Sequence, residues 1–427
     1  MPSSLRRLSR RYFTGLCTAA FPSLLFAKEE KPDAAVPPFA AFDKEVEAFM
    51  AERKVPGAAL AVVKDKRLVY AKGYGWADCE RKLAARPDSL FRIASISKPF
   101  TAVAVMKLIE DGKLSLDARA FDLLKLEPVF EKDARPDSRL QAITVRQLLQ
   151  HTAGWDRDVS FDPMFRPLEI AKVTGTPAPA GPAAVIRYML GRQLDFDPGA
   201  RYAYSNLGYC VLGRIIEKLT GDSYEAFVRK IVLDPCGIRH MRIGRSLDGQ
   251  QTTNEVRYYI DGDAEDDSVF PDKPGKVPAP YGAFHLEAMD AHGAWIASAV
   301  DLARFAAALH DPAASPLLKA ESIREMFAAP PAPMTPVDEP AGKRHYGCGW
   351  SVRAAGPHGE ITTGHNGSLP GTATFLVRRW DGVSWAILFN QRSSNKKKPD
   401  AAIDAALHRA ADAMTSWPEH DLFTQFN

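Results

Sequence analysis

Apolar residues near position 40 recur with the period of a helix. Their spacings of 4, 3 and 1 residues describe one buried face. The positions are Phe42, Val46, Phe49 and Met50. Two apolar runs follow, at 58–63 and 68–74, joined by four polar residues. The pattern therefore predicts a helix followed by a β-hairpin.

The C-terminal part supplies the same kinds of element. Two strand-like runs at 374–380 and 384–389 flank Asp381-Gly382, a dipeptide typical of tight hairpin turns. Residues 401–414 again have helical spacing. The sequence between the two ends is mostly helical. We therefore predict an α+β fold in which one antiparallel sheet is built from both termini and flanked by helices, with a mostly helical region inserted.

These elements divide the chain into regions. One folded domain is expected over 39–415, with the sheet in 39–90 and 340–415 and the helical insertion in 91–339. Residues 416–427 are expected to form a C-terminal tail. The acidic, proline-rich stretch 245–281 is expected to be a solvated surface loop rather than a calcium loop, because Asp266 stands where such a loop requires glycine.

Composition excludes several classes of protein. The 427 residues are 46% hydrophobic and 25% charged, which is the balance of a globular protein rather than a disordered or fibrous one. The formal net charge is +3. Removing residues 1–27, which contain four arginines and no acid, changes it to −1. A chain with this balance lacks the excess of positive charge that nucleic-acid binding requires, so no nucleic-acid partner is expected.

The N-terminus has the layout of a secretory signal. Arg10 and Arg11 precede a modest apolar stretch that ends at Ala27, and acids follow at once. The string S-R-R-x-F at 9–13 resembles a bacterial twin-arginine signal. We expect residues 1–27 to be a signal peptide handled by the twin-arginine export machinery and 28–38 to be a linker. The mature protein would be periplasmic or secreted, with no integral membrane segment; an uncleaved basic N-terminus is the alternative.

Cysteine and histidine spacing gives no support for a metal site. The cysteines outside the signal are Cys79, Cys210, Cys236 and Cys348. They form no C-x-x-C pair, and a protein that folds before export does so in a reducing compartment, so free thiols are expected. A second group could be drawn as a ligand set, but its spacing fits no familiar site. Its members are His285, Glu287, Asp290 and His292. We therefore expect neither metal nor cofactor.

Ser95 and Lys98 form an S-x-x-K string at the start of a predicted helix. An apolar stretch runs from 100 to 109, Pro99 suits a first helical turn, and Gly112 suits a helix end. A spacing of three places the lysine beside the serine on one face. A serine hydroxyl needs a base to become a nucleophile, and a desolvated lysine can act as one. The alternative is a helix-capping serine with a solvated lysine. The chain has no G-x-S-x-G, which argues against an α/β-hydrolase.

Two further strings carry candidate chemistry. Tyr204 and Asn206 form a Y-x-N, whose phenol could relay a proton and whose amide could hold a substrate carbonyl. His365 and Gly367 form an H-x-G, followed by Ser368. Small residues let a strand backbone approach a ligand closely, and two backbone amides can form an oxyanion hole. Taken singly, each string is also compatible with an ordinary aromatic or glycine-rich turn.

Together the three strings, in this order, resemble the penicillin-recognising serine hydrolases. The likeness is to the class C β-lactamase-related branch, which includes penicillin-binding proteins, esterases and D-aminopeptidases, and it extends over about residues 40–415. Stretches 143–154 and 299–305 also resemble segments of that branch.

The resemblance implies an acyl-enzyme mechanism with a defined set of roles. Ser95 would be the nucleophile, and Lys98 and Tyr204 would share proton transfer. Asn206 would bind substrate, and the amides of Ser95 and Ser368 would form the oxyanion hole. The segment from His365 to Gly367 would occupy the place of the K-T-G of β-lactamases.

The histidine at 365 alters the expected specificity. Histidine is mostly neutral at pH 7, so attraction for a carboxylated antibiotic is weakened. We expect hydrolysis of a small ester, amide or peptide, of the esterase or D-amino-acid peptidase type. The alternatives are a β-lactamase or DD-peptidase acting on cell-wall peptides, and a non-catalytic binding protein on the same fold.

Overall fold

The computed structural model describes residues 39–132, 134–260, 262, 264–331, 344–393 and 400–426. The predicted signal 1–27 and linker 28–38 lie outside the described residues. No helix in the described part of the chain is both long and apolar enough to cross a membrane.

Eleven α-helices and fifteen strands are found among these residues. The helices are α1 Ala40–Arg53, α2 Ser97–Glu110, α3 Ala120–Leu124, α4 Val145–Leu149, α5 Pro167–Thr174, α6 Pro182–Leu190, α7 Asn206–Thr220, α8 Tyr224–Val228, α9 Ala299–Ala308, α10 Ala320–Phe327 and α11 Ala402–Asp412. The strands are β1 Gly57–Lys64, β2 Arg67–Asp78, β3 Leu83–Ala84, β4 Phe91–Arg92, β5 Arg242–Ile243, β6 Tyr259–Ile260, β7 Glu265–Asp267, β8 Lys276–Pro278, β9 Trp295–Ala297, β10 Arg344–Tyr346, β11 Ser351–Ala354, β12 Ile361–Leu369, β13 Thr372–Arg378, β14 Val383–Phe389 and β15 Gln391–Arg392.

The main sheet joins the two ends of the domain. Its eight strands are antiparallel in the order β10-β11-β12-β13-β14-β1-β2-β3. The junction lies between β1 and β14, where Leu60 is opposite Ile387. This arrangement confirms the predicted α+β fold, and both predicted hairpins are present, as β1–β2 and β13–β14.

Helices cover both faces of the central strands, which explains why β1 is apolar at nearly every position. Leu60 and Val62 pack in a cluster with side chains of α1 and α11. The alternate residues, Ala59 and Ala61, face the second cluster, which includes residues of α2 and α9. A strand buried on both faces loses the polar alternation of a half-exposed one. The active-site helices therefore rest directly on the sheet.

The structure corrects the expectation that one acidic, proline-rich segment is solvated. Residues 245–281 are not simply solvated, because Tyr258 and Tyr281 are buried around Arg92. The guanidinium of Arg92 donates to the carbonyls of Pro280 at 2.6 Å and Arg245 at 2.8 Å. The stretch is thus anchored to β4. The acidic composition of residues 245–281 did not indicate this packing, because only a few aromatic residues in the segment make the contacts with Arg92.

The C-terminal tail packs against the domain. A short 3₁₀ helix spans Leu422–Phe426, and Phe423 is buried. Asp421 accepts a hydrogen bond from the backbone amide of Leu68 at 3.1 Å. Arg304 donates to the carbonyl of Phe423 at 2.7 Å. The last described residues therefore close over β2 and α9.

Candidate active site

Ser95 lies in a tight turn at the entrance to α2. A 3₁₀ turn covers Ala94–Ile96, and the helix proper begins at Ser97, so Ser95 precedes the helix rather than capping it. Ala94 has φ of +46°, a left-handed conformation that is costly for a residue with a side chain. This local strain sits directly before the proposed nucleophile.

Lys98 is fully buried below Ser95 and contacts three oxygen atoms. Its Nζ lies 3.1 Å from Ser95 Oγ, 2.8 Å from Asn206 Oδ1 and 3.0 Å from the carbonyl of His292. Burial lowers the pKa of Lys98 well below its ordinary value, although the Asp162 carboxylate raises it. The neutral amine is thereby favoured.

The partners of Lys98 determine where its lone pair points. A carbonyl oxygen and an amide oxygen can only accept hydrogen bonds. A neutral amine has two hydrogens, and the oxygens of Asn206 and His292 take both. The lone pair is left for the Ser95 hydroxyl, which can donate to it. This is the geometry of a general base acting on a serine.

Asp162 fixes the orientation of Asn206. The amide nitrogen Nδ2 donates to Asp162 Oδ2 at 2.6 Å, which leaves Oδ1 facing Lys98. Asn206 is the first residue of α7, whereas Asp162 caps the short 3₁₀ turn Pro163–Phe165. Burial raises the pKa of Asp162, and hydrogen bonding to Asn206 lowers it.

Tyr204 completes the group around the serine. Its ring centroid is 4.7 Å from Lys98 Nζ, and its hydroxyl is hydrogen-bonded to Ser95. Burial raises the pKa of Tyr204, so the phenol keeps its proton at neutral pH. His151 supports the ring from behind at a centroid distance of 4.3 Å. A protonated phenol beside the serine can donate to a leaving group.

His365 lies beneath the cavity rather than on its wall. Its Nδ1 is 2.7 Å from the carbonyl of Asn366 and its Nε2 is 2.8 Å from the hydroxyl of Tyr346. A carbonyl only accepts, so Nδ1 carries the hydrogen and Nε2 accepts from Tyr346. Burial, reinforced by Lys98, lowers the pKa of His365 to about 3, so the ring is neutral at pH 7.

Strand alternation explains which residues of β12 reach the cavity. Asn366 and Ser368 line it, together with Leu369 at the end of the strand, whereas His365 and Gly367 do not and belong to the other face of the strand. A Cβ atom at Gly367 would lie 2.1 Å from the carbonyl oxygen of Ile93. Glycine therefore lets β12 pack against the Ser95 turn. β11 pairs with β12 only as far as Gly364, so the stretch beyond it is open toward that turn.

A cavity of about 490 Å³ lies over these groups. Four of the seven predicted site residues are on its wall: Ser95, Tyr204, Asn206 and Ser368. Lys98 is bonded to two of them from below, and Gly367 and His365 support the strand. The wall also includes residues that no sequence motif indicated. Asp162, likewise not predicted, is hydrogen-bonded to the wall residue Asn206 without lining the cavity itself. The added wall residues include Arg157, Phe165, His292 and Arg392.

Three members of the group His285, Glu287, Asp290 and His292, which the sequence did not predict to be a metal site, contact other residues. Asp290 forms a salt bridge with Arg214, and Glu287 accepts a hydrogen bond from the backbone amide of Ser246. The backbone of His292 accepts from Lys98. No cluster able to hold a metal ion is found among the described residues. Cys210, Cys236 and Cys348 are free thiols.

An α+β fold with a serine, a buried amine and a phenol in contact defines the class of serine hydrolases that transfer acyl groups. Comparison with protein families identifies the branch: the beta-lactamase family model matches residues 42–410. The chain belongs to the beta-lactamase family, which confirms the resemblance seen in the sequence.

Individual relatives are distant. Protein flp of Staphylococcus aureus is 30% identical over 218 residues, which are 51% of this chain and 39% of that protein. The chain thus spans well under half the length of that relative. Penicillin-binding protein 4* of Bacillus subtilis is 26% identical over 345 residues, 80% of this chain and 69% of the relative.

Solved structures share the fold. The octameric penicillin-binding protein homologue from Pyrococcus abyssi aligns with a TM-score of 0.67 and 26% identity, over 88% of this chain and 78% of that one. D-amino acid amidase from Ochrobactrum anthropi SV3, complexed with L-phenylalanine amide, aligns with a TM-score of 0.67 and 22% identity, over 88% of this chain and 98% of that one.

Proposed function

We propose that this protein is an exported serine hydrolase that cleaves an ester or amide bond of a small molecule through an acyl-enzyme. One observation carries the proposal: the Lys98 amine has acceptors for both of its hydrogens, so its lone pair faces Ser95 Oγ at 3.1 Å. A merely structural lysine on a solvated helix face would have neither the burial nor the hydrogen-bond count.

The proposed reaction follows from these contacts. Lys98 takes the proton of Ser95 as Oγ bonds to the substrate carbonyl carbon. The carbonyl oxygen, now negative, is stabilised by the backbone amides of Ser95 and Ser368. Tyr204 gives its proton to the leaving group as the scissile bond breaks, and the Lys98 ammonium restores that proton. Water then cleaves the acyl-enzyme by the same route in reverse.

The site favours simple esters, amides or small peptides over β-lactams. His365 stands where β-lactamases have lysine, and it is neutral and lies beneath the cavity rather than on its wall. The cation that helps to hold an antibiotic's carboxylate beside the serine is therefore missing at that position. The D-amino acid amidase and penicillin-binding protein neighbours are consistent with an amide or peptide substrate.

A fluorophosphonate probe tests the enzyme directly, because it labels an activated serine without needing the natural substrate. We expect labelling of the purified protein and of Ser115→Ala, a control at an exposed serine, but none of Ser95→Ala. Turnover should be measurable with p-nitrophenyl acetate and poor with nitrocefin. Efficient nitrocefin hydrolysis would favour the β-lactamase alternative. Failure of the unmodified protein to react with any of these would favour a binding protein.

Export is proposed on the N-terminal sequence alone. The support is the S-R-R-x-F string followed by an apolar stretch. We expect the protein in the periplasmic fraction or medium, with its N-terminus near Lys28. Replacing Arg10 and Arg11 with lysine should retain the precursor in the cytoplasm. An exported protein that begins at Met1 would contradict cleavage.

A further inference from the structure

His151 is a buried histidine behind Tyr204 that the proposed reaction does not use. Only 1% of its surface is exposed, and it does not line the cavity. It lies just beyond the end of α4 in a left-handed backbone conformation, with φ of +57°. Few residues other than glycine adopt this conformation, so it persists only where the surrounding contacts hold it. Two of those contacts are with the segment that carries Tyr204.

Two backbone amides, one on each side of Tyr204, donate hydrogen bonds to His151. The amide nitrogen of Ala203 lies 2.9 Å from the carbonyl oxygen of His151, and the amide nitrogen of Ser205 lies 3.2 Å from its Nδ1. The imidazole ring also packs on the Tyr204 ring, at a centroid distance of 4.3 Å. His151 therefore holds the backbone before and after the phenol and supports the phenol ring itself.

The hydrogen bond from Ser205 fixes the tautomer of His151. A backbone N–H can only donate, so Nδ1 accepts, and the hydrogen of the neutral ring is on Nε2. Burial lowers the pKa of His151 well below its ordinary value, which keeps the ring neutral at pH 7. Nε2 is buried and has no hydrogen-bond partner among the described residues. An apolar ring would pack here without burying an unpaired donor, so the acceptor at Nδ1 is what histidine adds at this position.

We propose that His151 is a positioning residue for acylation: by accepting the amide hydrogen of Ser205, it holds the Tyr204 hydroxyl where that group can protonate the leaving group. The inference rests on the proposed hydrolase function. Without the acceptor, the buried N–H of Ser205 would lose its partner and the segment would shift to regain one. Misplacement of a reacting group by about 1 Å can cost about 100-fold in rate.

The affected step is the departure of the leaving group. The bond between the carbonyl carbon and the leaving oxygen breaks, its electron pair goes to that oxygen, the oxygen takes the proton of Tyr204, and the Lys98 ammonium reprotonates the phenolate. A basic leaving group such as an alkoxide needs this proton, whereas p-nitrophenolate is stable without it. The base is held separately, because Lys98 bonds to Asn206, which Asp162 orients. Loss of the His151 acceptor should therefore slow esters of weakly acidic alcohols most.

Three acetate esters with leaving groups of decreasing acidity test the inference: p-nitrophenyl, phenyl and trifluoroethyl acetate. Hydrolysis is followed in a pH-stat, and kcat/KM is compared because it reports only the steps up to release of the leaving group. His151→Phe keeps an aromatic ring but has no acceptor. We expect its kcat/KM to be about 100-fold lower than that of the unmodified protein for trifluoroethyl acetate and little changed for p-nitrophenyl acetate, with phenyl acetate between them.

Asparagine is the conservative replacement at this position. Its Oδ1 is attached to Cγ, as Nδ1 is in histidine, and asparagine tolerates the left-handed conformation. His151→Asn should therefore keep the ester preference of the unmodified protein. His151→Gln, whose acceptor lies one bond further out, should resemble His151→Phe and replaces it if the phenylalanine variant does not fold. His358→Phe, at an exposed histidine, is the matched control and should behave as the unmodified protein; thermal melting reports the folding of each variant.

A double variant tests whether His151 acts through Tyr204. Tyr204→Phe removes the proton donor and should show the same dependence on the leaving group as His151→Phe. Adding His151→Phe to Tyr204→Phe should cause little further loss, because the group that His151 positions is already absent.

The outcomes separate this inference from the proposed function. If His151→Phe slows all three esters equally, or if its effect adds in full to that of Tyr204→Phe, His151 does not act by positioning the proton donor, while the hydrolase stands. An asparagine variant as impaired as the phenylalanine variant would likewise exclude the acceptor as the cause. If the unmodified protein cleaves none of the esters and Ser95 does not react with the fluorophosphonate probe, the hydrolase itself is wrong.

Discussion

Replacing Gly367 with alanine tests how closely β12 must approach the nucleophile turn. The new Cβ would lie 2.1 Å from the carbonyl oxygen of Ile93 and 2.4 Å from Thr374 Oγ1. Real Cβ atoms essentially never approach closer than 3.0 Å. The strand and the turn must therefore separate by about 1 Å, because the Ile93 contact is with rigid backbone rather than with a mobile side chain.

The separation affects stability and chemistry together. Overpacking of this kind costs about 1–3 kcal/mol of folding free energy. The same displacement moves the Ser368 amide away from Ser95, and misplacement by about 1 Å can cost about 100-fold in rate. We expect a melting temperature lower by a few degrees and acylation slower by about two orders of magnitude.

Gly181→Ala is the matched control, because its Cβ meets no heavy atom within 4 Å and its φ is −86°. Thermal melting and the rate of fluorophosphonate labelling are measured for both variants. The control should match the unmodified protein in each. Unchanged labelling by a stably folded Gly367→Ala would refute the reasoning that this contact positions the second amide.

Three further outcomes are expected. Lys98→Arg, which keeps a charge but cannot serve as a base, should slow ester acylation by about 100-fold to 10,000-fold in single-turnover measurements. The unmodified enzyme should lose activity as pH falls, because Lys98 takes up a proton. A rate that does not depend on pH would contradict the role of Lys98 as the base. His365 has a pKa of about 3 in the folded protein against an ordinary 6.5, so the unfolded chain takes up a proton first, and the free energy of unfolding should fall as pH drops from about 6.5 toward 3. At pH 5 the loss of stability is about 2 kcal/mol. The melting temperature of His365→Gln should depend less on acid pH, and an equal dependence would show that the histidine is already protonated in the folded protein. The buried thiols of Cys210 and Cys348 should react with Ellman's reagent only after unfolding, and a rise in thiol count after reduction would indicate a disulfide instead.

Local patterns in the sequence were sufficient for the elements and for part of the site. Ser95 and Lys98 are three residues apart beside Pro99, so their proximity is a property of one turn. The hairpins followed from apolar runs with turn residues between them. The convergence of Tyr204, Asn206 and β12 on Ser95 depends on the tertiary fold, and only the family resemblance predicted it.

Other site features depend on contacts that no local pattern encodes. Arg157 and Asp162 lie in the connection that follows α4, and Arg392 lies in the short strand β15, so tertiary folding brings both segments to Ser95. The face of β12 on which His365 lies could, however, be predicted from the sequence. Residues two apart on a strand share a face, so His365 and Gly367 had to point together, and a glycine needed for close packing indicates the packed side.

The pairing of β1 with β14 has a consequence for biosynthesis. More than 300 residues separate the paired positions Leu60 and Ile387. A growing chain therefore emerges with the hydrogen-bonding edge of β1 bare, and contacts this far apart in sequence form slowly. Since Ser368 also comes from β12, neither the complete sheet nor the oxyanion pair can assemble until the strands up to Phe389 have left the ribosome. Until then the unpaired edge of β1 is open to pairing with other chains.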